Sequence, residues 1–248
     1  IGNKKLQAVR SVFKCRNRCI QILKEKMKKI GNIGKAYNKD YFKFLYGKIP
    51  FYSFYLQKKN KLVENVLKKY AKDGKLLDIG CGNGNVLFHF SRNFKVYGLD
   101  ISPYIIKEVK KSNSNINVKI CDIEKSKVPF KEKFDVIFLW NIIEHMKNPG
   151  AVLKKLKKSL AKDGYVVIHL PTINNAISKI EYKILWDWLL KEKTHIFRPS
   201  INEFRSLLES CGYKIVEEFS GQFIPFALTK NKFIMQCACQ YLVIARNR

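Results

Sequence analysis

Leu76-Leu77-Asp78-Ile79-Gly80-Cys81-Gly82-Asn83-Gly84-Asn85 is the stretch on which the fold turns. A short apolar run carries one acid and then meets three glycines at alternating positions. A helical pattern follows from Asn85. Glycine lets a backbone turn tightly and approach a ligand with no Cβ in the way. The start of the following helix offers unpaired N–H groups. A strand, a glycine bend and a helix in this order predict the first βα unit of a parallel sheet.

The same alternation of short apolar runs and helical segments continues outward. Strands are predicted at Leu76–Ile79, Val96–Leu99, Val118–Ile120, Val136–Leu139, Val166–Leu170, Lys214–Glu217 and Tyr241–Ala245. The intervening helices begin near Asn85, Pro103, Gly150 and Ser200. The segment 221–240 joins the last two strands and is expected to be partly helical. The fold expected is α/β, a Rossmann-like seven-stranded, mostly parallel sheet with helices on both faces. N-terminal helices and a lid insertion at about 173–197 are added to it. Before the sheet, Lys61 to Tyr70 reads as an amphipathic helix ended by Asp73-Gly74. Residues 36–57 are crowded with aromatics, which suit either a lid or a helix pair in the core. A basic segment, 1–35, places Leu6, Val9, Phe13, Ile20, Leu23, Met27 and Ile30 on one helical face. Residues 36–248 then form the main domain.

The glycine spacing discriminates between ligands. A dinucleotide fingerprint, G-x-G-x-x-G, would need glycine at position 85, which is Asn85. The pattern here is G-x-G-x-G with Asp78 two residues ahead. A carboxylate repels a pyrophosphate but attracts the ammonium and sulfonium of S-adenosylmethionine. Two further acids stand at the expected strand ends. Asp100, about twenty residues after Gly80, can accept from both ribose hydroxyls. Asp122 can accept from the adenine amino group, with Ile101 and Ile123 sandwiching the ring. Gly80, Gly82 and Gly84 shape the bend, and Cys81 and Asn141 complete the cofactor-binding set.

These residues resemble class I methyltransferases, especially the ubiquinone-type and other small-molecule O-methyltransferases. The resemblance covers about Lys61 to Arg246. It rests on Asp78 to Gly84, Gly98-Leu99-Asp100-Ile101-Ser102, Phe134-Asp135-Val136-Ile137, Ile143-Glu144-His145-Met146 and Gly164-Tyr165-Val166-Val167-Ile168. It implies that the first motif holds the methionine part of S-adenosylmethionine and that Asp100 holds the ribose.

Transfer to a hydroxyl requires removal of its proton, so a base near the methyl is expected. His145, in Trp140-Asn141-Ile142-Ile143-Glu144-His145, is the first candidate. Glu144 would orient it or ligate a metal, although no metal site is assigned. His195, in Lys193-Thr194-His195-Ile196-Phe197, is the second. Each histidine could equally pack or cap a helix. After the fourth strand there is no [DN]-P-P-[YF] sequence of the kind associated with methylation of exocyclic amines.

The chain has 248 residues and a formal net charge of +28, carried mostly by Lys. Such a field attracts phosphates on RNA or on an anionic membrane. Abundant Lys, Asn and Ile together are also what AT-rich codons supply. The seven Cys form no C-x-x-C pair and no zinc-finger spacing, which suggests reduced thiols in a cytoplasmic setting, peripheral to a membrane at most. The sequence thus predicts an enzyme acting on a small-molecule acceptor, with an RNA methyltransferase as the alternative. A scaffold without catalysis and a dehydrogenase fit less well. No obligate protein partner is implied.

Overall fold

The computed structural model describes residues 37–42, 52–184, 187, 194–222, 227–229 and 239–248. The basic segment 1–35, much of the aromatic stretch, Trp186 and Trp188 lie outside them. Helix α1 (Tyr52–Leu67) precedes strand β1 (Gly74–Ile79), so it starts earlier than the pattern at Lys61 suggested. Then follow α2 (Asn85–Phe90), β2 (Phe94–Asp100), α3 (Pro103–Ser112), β3 (Asn117–Ile120) and β4 (Phe134–Trp140). A 3-10 turn (Ile143–His145) leads into α4 (Pro149–Lys157) and β5 (Leu160–Pro171). The chain continues through α5 (Ala176–Tyr182), α6 (Ile201–Ser210), β6 (Tyr213–Gln222), β7 (Ala227–Thr229) and β8 (Gln240–Asn247).

The helices begin where side chains can cap them. Ser102 accepts from the Ile105 amide ahead of Pro103, and Asn148 accepts from the Ala151 amide ahead of Pro149. Proline suits a first helical turn because its missing N–H would be unpaired there anyway. Ser200 and Glu203 form a reciprocal capping box on α6, and Asn175 with Ser178 does so on α5.

All the strands form one sheet in the order β3-β2-β1-β4-β5-β8-β6-β7. The first five run parallel, and β8 lies antiparallel between β5 and β6. The seven expected strands are all present. The eighth, β7, is three residues long and pairs antiparallel with the end of β6. It falls in the segment expected to be partly helical, of which the described residues 221–222 and 227–229 are strand. The physical reason is a neighbour: Gly221 and Gln222 extend β6 and offer β7 an edge to pair with.

Alternation along the strands splits the core in two. Leu77, Ile79, Leu139 and Ile168 face α4 and α6, packing on Val152, Leu153, Phe204 and Leu208. Leu76, Phe138, Val167 and Leu242 face the other way, under Val63 and Leu67 of α1 and Leu87 and Phe90 of α2. Burial on both faces explains why these strands read as continuous apolar runs. No helix among the described residues is long and apolar enough to cross a membrane. The parallel strands β1 to β5 all end at one edge of the sheet, near Ile79, Asp100, Ile120, Trp140 and Pro171, where open α/β sheets bind ligands.

Candidate active site

The glycine bend begins where β1 stops. Gly80 has φ +73° and Gly84 φ +80°, a region L side chains enter at a cost. A Cβ on Gly80 would also lie 2.7 Å from Cδ1 of Ile142, so the bend and the loop after β4 are in direct contact. The Gly80 and Cys81 amides both donate to the Leu99 carbonyl, at 2.7 and 2.9 Å.

Asp100 ties the bend to the next strand. One carboxylate oxygen accepts from the Gly82 amide at 3.0 Å and the other from the Ser102 amide at 2.9 Å. Burial pushes its carboxyl up, and these backbone N–H groups oppose that rise. A carboxylate oxygen can accept more than one hydrogen bond, so the chemistry of Asp100 suits the ribose role predicted for it. Asp78 is 2% exposed, and its Oδ1 makes no hydrogen bond among the described residues. Burial and the neighbouring Asp100 raise its carboxyl well above the usual range. A cation beside it would reverse that rise.

The other predicted cofactor residues divide. The Cys81 side chain is buried on the α1/α2 face, about 3.0 Å from where a Cβ on Gly98 would stand, and burial raises its thiol. It therefore serves packing, and only its backbone faces the bend. Ile101 is half-buried. Ile123 belongs to the core on the α4/α6 face. Asp122 accepts from the Glu124 amide at 3.1 Å and pairs with Lys125 at 3.0 Å, bracing its own loop.

Asn141 has φ +51°, the one non-glycine residue with positive φ among the described residues. Its backbone N–H donates to the His169 carbonyl at 2.9 Å, and its Oδ1 accepts from Nδ1 of His169. Lys59 of α1 donates to the other ring nitrogen of His169 at 3.0 Å. Both groups are buried. Burial lowers the Lys59 amine, and burial with Lys59 nearby lowers His169, so the imidazole stays neutral. Trp140 stacks on the His169 ring at 4.9 Å between centroids.

The two predicted bases meet. His145 and His195 are fifty residues apart in sequence, yet their ring centroids lie 4.8 Å apart. The Glu144 carbonyl accepts from the Ile196 and Phe197 amides, both at 2.9 Å, and so docks the 194–197 segment against the 3-10 turn. His145 Nδ1 lies 2.7 Å from the Thr194 hydroxyl, and His195 Nδ1 lies 2.5 Å from the Tyr182 hydroxyl. Burial, His145 and Arg198 push His195 down to about 2, so it is neutral at ordinary pH. Its Nε2 stands 3.8 Å from a Glu144 oxygen, a contact between a neutral ring and a carboxyl. Glu144, His145 and His195 each offer one possible ligand atom, and these atoms lie within 4.8 Å of one another. The three make a candidate metal-ligand set, beyond the single ligand that the sequence suggested.

Sequence reasoning missed Lys59, His169 and Thr194. His169 carried a signal, a polar residue inside the apolar run Val166 to Leu170. Lys59 carried none, because lysines occur all along this chain.

Comparison with known proteins agrees with this fold. The model of one family, a methyltransferase domain, matches residues 51–218. The magnesium protoporphyrin IX methyltransferase of Synechocystis, solved with bound SAH, superposes with a TM-score of 0.63 at 14% identity, over 87% of this chain and 98% of that one. These define the class: a class I, S-adenosylmethionine-dependent methyltransferase domain. The chain belongs to that methyltransferase family. Its curated relatives include a ubiquinone biosynthesis O-methyltransferase of Rhodopseudomonas palustris, 28% identical over 69% of this chain and 70% of that protein. A tRNA U34 carboxymethyltransferase of Campylobacter lari is 32% identical over 65% of this chain and 58% of its own length. N-methyltransferase 4 of Papaver somniferum is 39% identical over 40% of this chain, which spans 31% of the poppy enzyme.

Proposed function

We propose that this chain moves the methyl group of S-adenosylmethionine to an oxygen of a small-molecule acceptor, with His145 as general base. The observation that carries this reading is one contact: the glycine bend touches Ile142, and two residues on, Glu144 and His145 begin the histidine cluster. A seat for the methyl donor and a proton acceptor thus share one strand edge. The bend fits the donor, because Asp78 brings an unpaired buried oxygen where a cation is wanted and Asp100 retains lone pairs for hydroxyls. The cofactor supplies a methyl carbon already activated by its sulfonium.

The chain's own task is then to orient the acceptor, exclude water and take one proton. Held in line, such reactants gain up to roughly 7–11 kcal/mol from proximity alone. When Thr194 accepts from Nδ1–H of His145, the lone pair is left on Nε2, where a base needs it. The neutral His195 and Glu144 stand behind it. The insertion at about 173–197 is proposed to cover the acceptor.

The test is incubation of cell extracts with isotopically labelled S-adenosylmethionine and this protein, read by mass spectrometry. Label on an oxygen of a small molecule supports the reading; label on nitrogen, or in the RNA fraction, contradicts it. The net charge and the tRNA-modifying relatives favour RNA as the second reading. That reading requires an RNA affinity falling steeply with salt.

A further inference from the structure

The face of the sheet under α1 carries buried polar side chains beside the glycine bend. Asp78, Trp140 and His169 all point to this face, as the alternation with Leu76, Phe138 and Val167 dictates. Their strands are neighbours: Asp78 pairs with Phe138, and Trp140 pairs with His169. Helix α1 covers them with two adjacent polar residues. Lys59 is held by His169 at 3.0 Å. Asn60, 2% exposed, turns its amide nitrogen to the side-chain oxygen of Asn85 at 2.6 Å. Asn85 is the first residue of α2, directly after the glycine bend, so this bond lays α1 over the cofactor end of the sheet.

Three buried atoms in this region make no hydrogen bond among the described residues: Oδ1 of Asn60, Oδ1 of Asp78 and Nε1 of Trp140. Unpaired buried polar atoms cost about 1–3 kcal/mol each unless something satisfies them. Two acceptors, one on a carboxylate, and one donor call for a ligand with a cationic donor and an anionic acceptor. The amino-acid end of the cofactor is such a zwitterion.

We propose that Asn60 and Trp140 join Asp78 in seating the amino-acid end of S-adenosylmethionine. Oδ1 of Asn60 and of Asp78 accept from its ammonium, and Nε1–H of Trp140 donates to its carboxylate. Helix α1 is then part of the cofactor site and not only a cover on the core. The Lys59–His169 bond and the stacking of His169 on Trp140 hold the indole in place. The assignment rests on the glycine bend being the cofactor seat.

Calorimetry on the full chain separates the two claims. S-adenosylhomocysteine and 5′-methylthioadenosine are both thioethers with the same nucleoside; only the first has the amino-acid end. Asn60→Leu and Trp140→Phe should each raise the dissociation constant for S-adenosylhomocysteine about tenfold or more, the worth of one hydrogen bond to a charged group. Neither should move methylthioadenosine by more than about twofold. A parallel loss for both ligands would mean that these residues only shape the fold, and would overturn the proposal. So would unchanged S-adenosylhomocysteine binding in both variants. Trp140→Phe keeps an aromatic ring on His169 and gives the answer even if Asn60→Leu does not fold. A wild-type chain that binds neither ligand would instead overturn the seat at the glycine bend.

Discussion

The glycine bend and the histidine cluster meet at the same edge of the sheet but are assembled in opposite ways. The bend is local: ten consecutive residues, 76–85, supply the strand, the turn and the start of the helix, and Asp100 on the adjacent strand braces them. The cluster is gathered from afar. Glu144 and His145 come from the turn after β4, His195 from beyond α5, and Tyr182 from α5 itself. What joins them is a pair of backbone bonds into the Glu144 carbonyl. On the proposed reading, cofactor binding is built on local geometry and the acceptor chemistry on contacts between distant segments.

That contrast can be broken at either end. The largest effect should come from His145→Ala. Loss of a general base lowers turnover by about 10²–10⁴-fold, while S-adenosylhomocysteine affinity stays within about twofold. Equal losses of both in steady-state rates and calorimetry would merge the two regions into one.

Asp100→Ala attacks the local side. It removes the acceptors for the Gly82 and Ser102 amides and, on the proposed reading, for the ribose. The dissociation constant for S-adenosylhomocysteine should rise about ten- to a hundredfold. Unchanged binding in calorimetry would remove Asp100 from the site. Gly80→Ala should raise the same constant by about tenfold, through a positive φ and a Cβ crowding Ile142. Ile142→Ala in the same chain should recover part of that loss, which sharpens the claim that bend and loop touch.

The smallest effect is on stability against acid. His195 and His169 are neutral in the fold, their values depressed below the ordinary 6.5, His195 to about 2. An unfolded chain therefore binds protons below about pH 6.5 that the folded chain refuses. Stability is full above that pH and falls as pH drops toward the folded values, by at most about 1.4 kcal/mol per unit per group. Urea unfolding of wild type should steepen below pH 6.5, and His195→Asn should flatten part of that slope. An identical slope in the variant would mean that His195 is exposed to protons in the folded state.

The sequence exposed the fold through its doubly buried strands, since Val136 to Leu139 is wholly apolar and Leu76 to Ile79 carries only Asp78 as a polar residue. It exposed the bend because alternating glycines need no distant partner. It showed His145 and His195 as two rival bases, because spacing says nothing of two segments fifty residues apart docking on one carbonyl. It hid the part of Lys59 and Asn60 for a different reason. Their helix begins in an aromatic-rich stretch ahead of the amphipathic pattern, and a lysine in a basic chain looks like surface until it is found buried on a histidine. The eighth strand was hidden as well, for three residues paired to an edge have no pattern of their own.

A crystal structure of this chain with S-adenosylhomocysteine bound tests the whole account at once. The ligand should lie along the glycine bend, its ribose on Asp100 and its sulfur turned toward His145. A ligand seated elsewhere, or with its sulfur facing away from the Glu144-His145-His195 cluster, would contradict the single crevice on which the methyl-transfer reading stands.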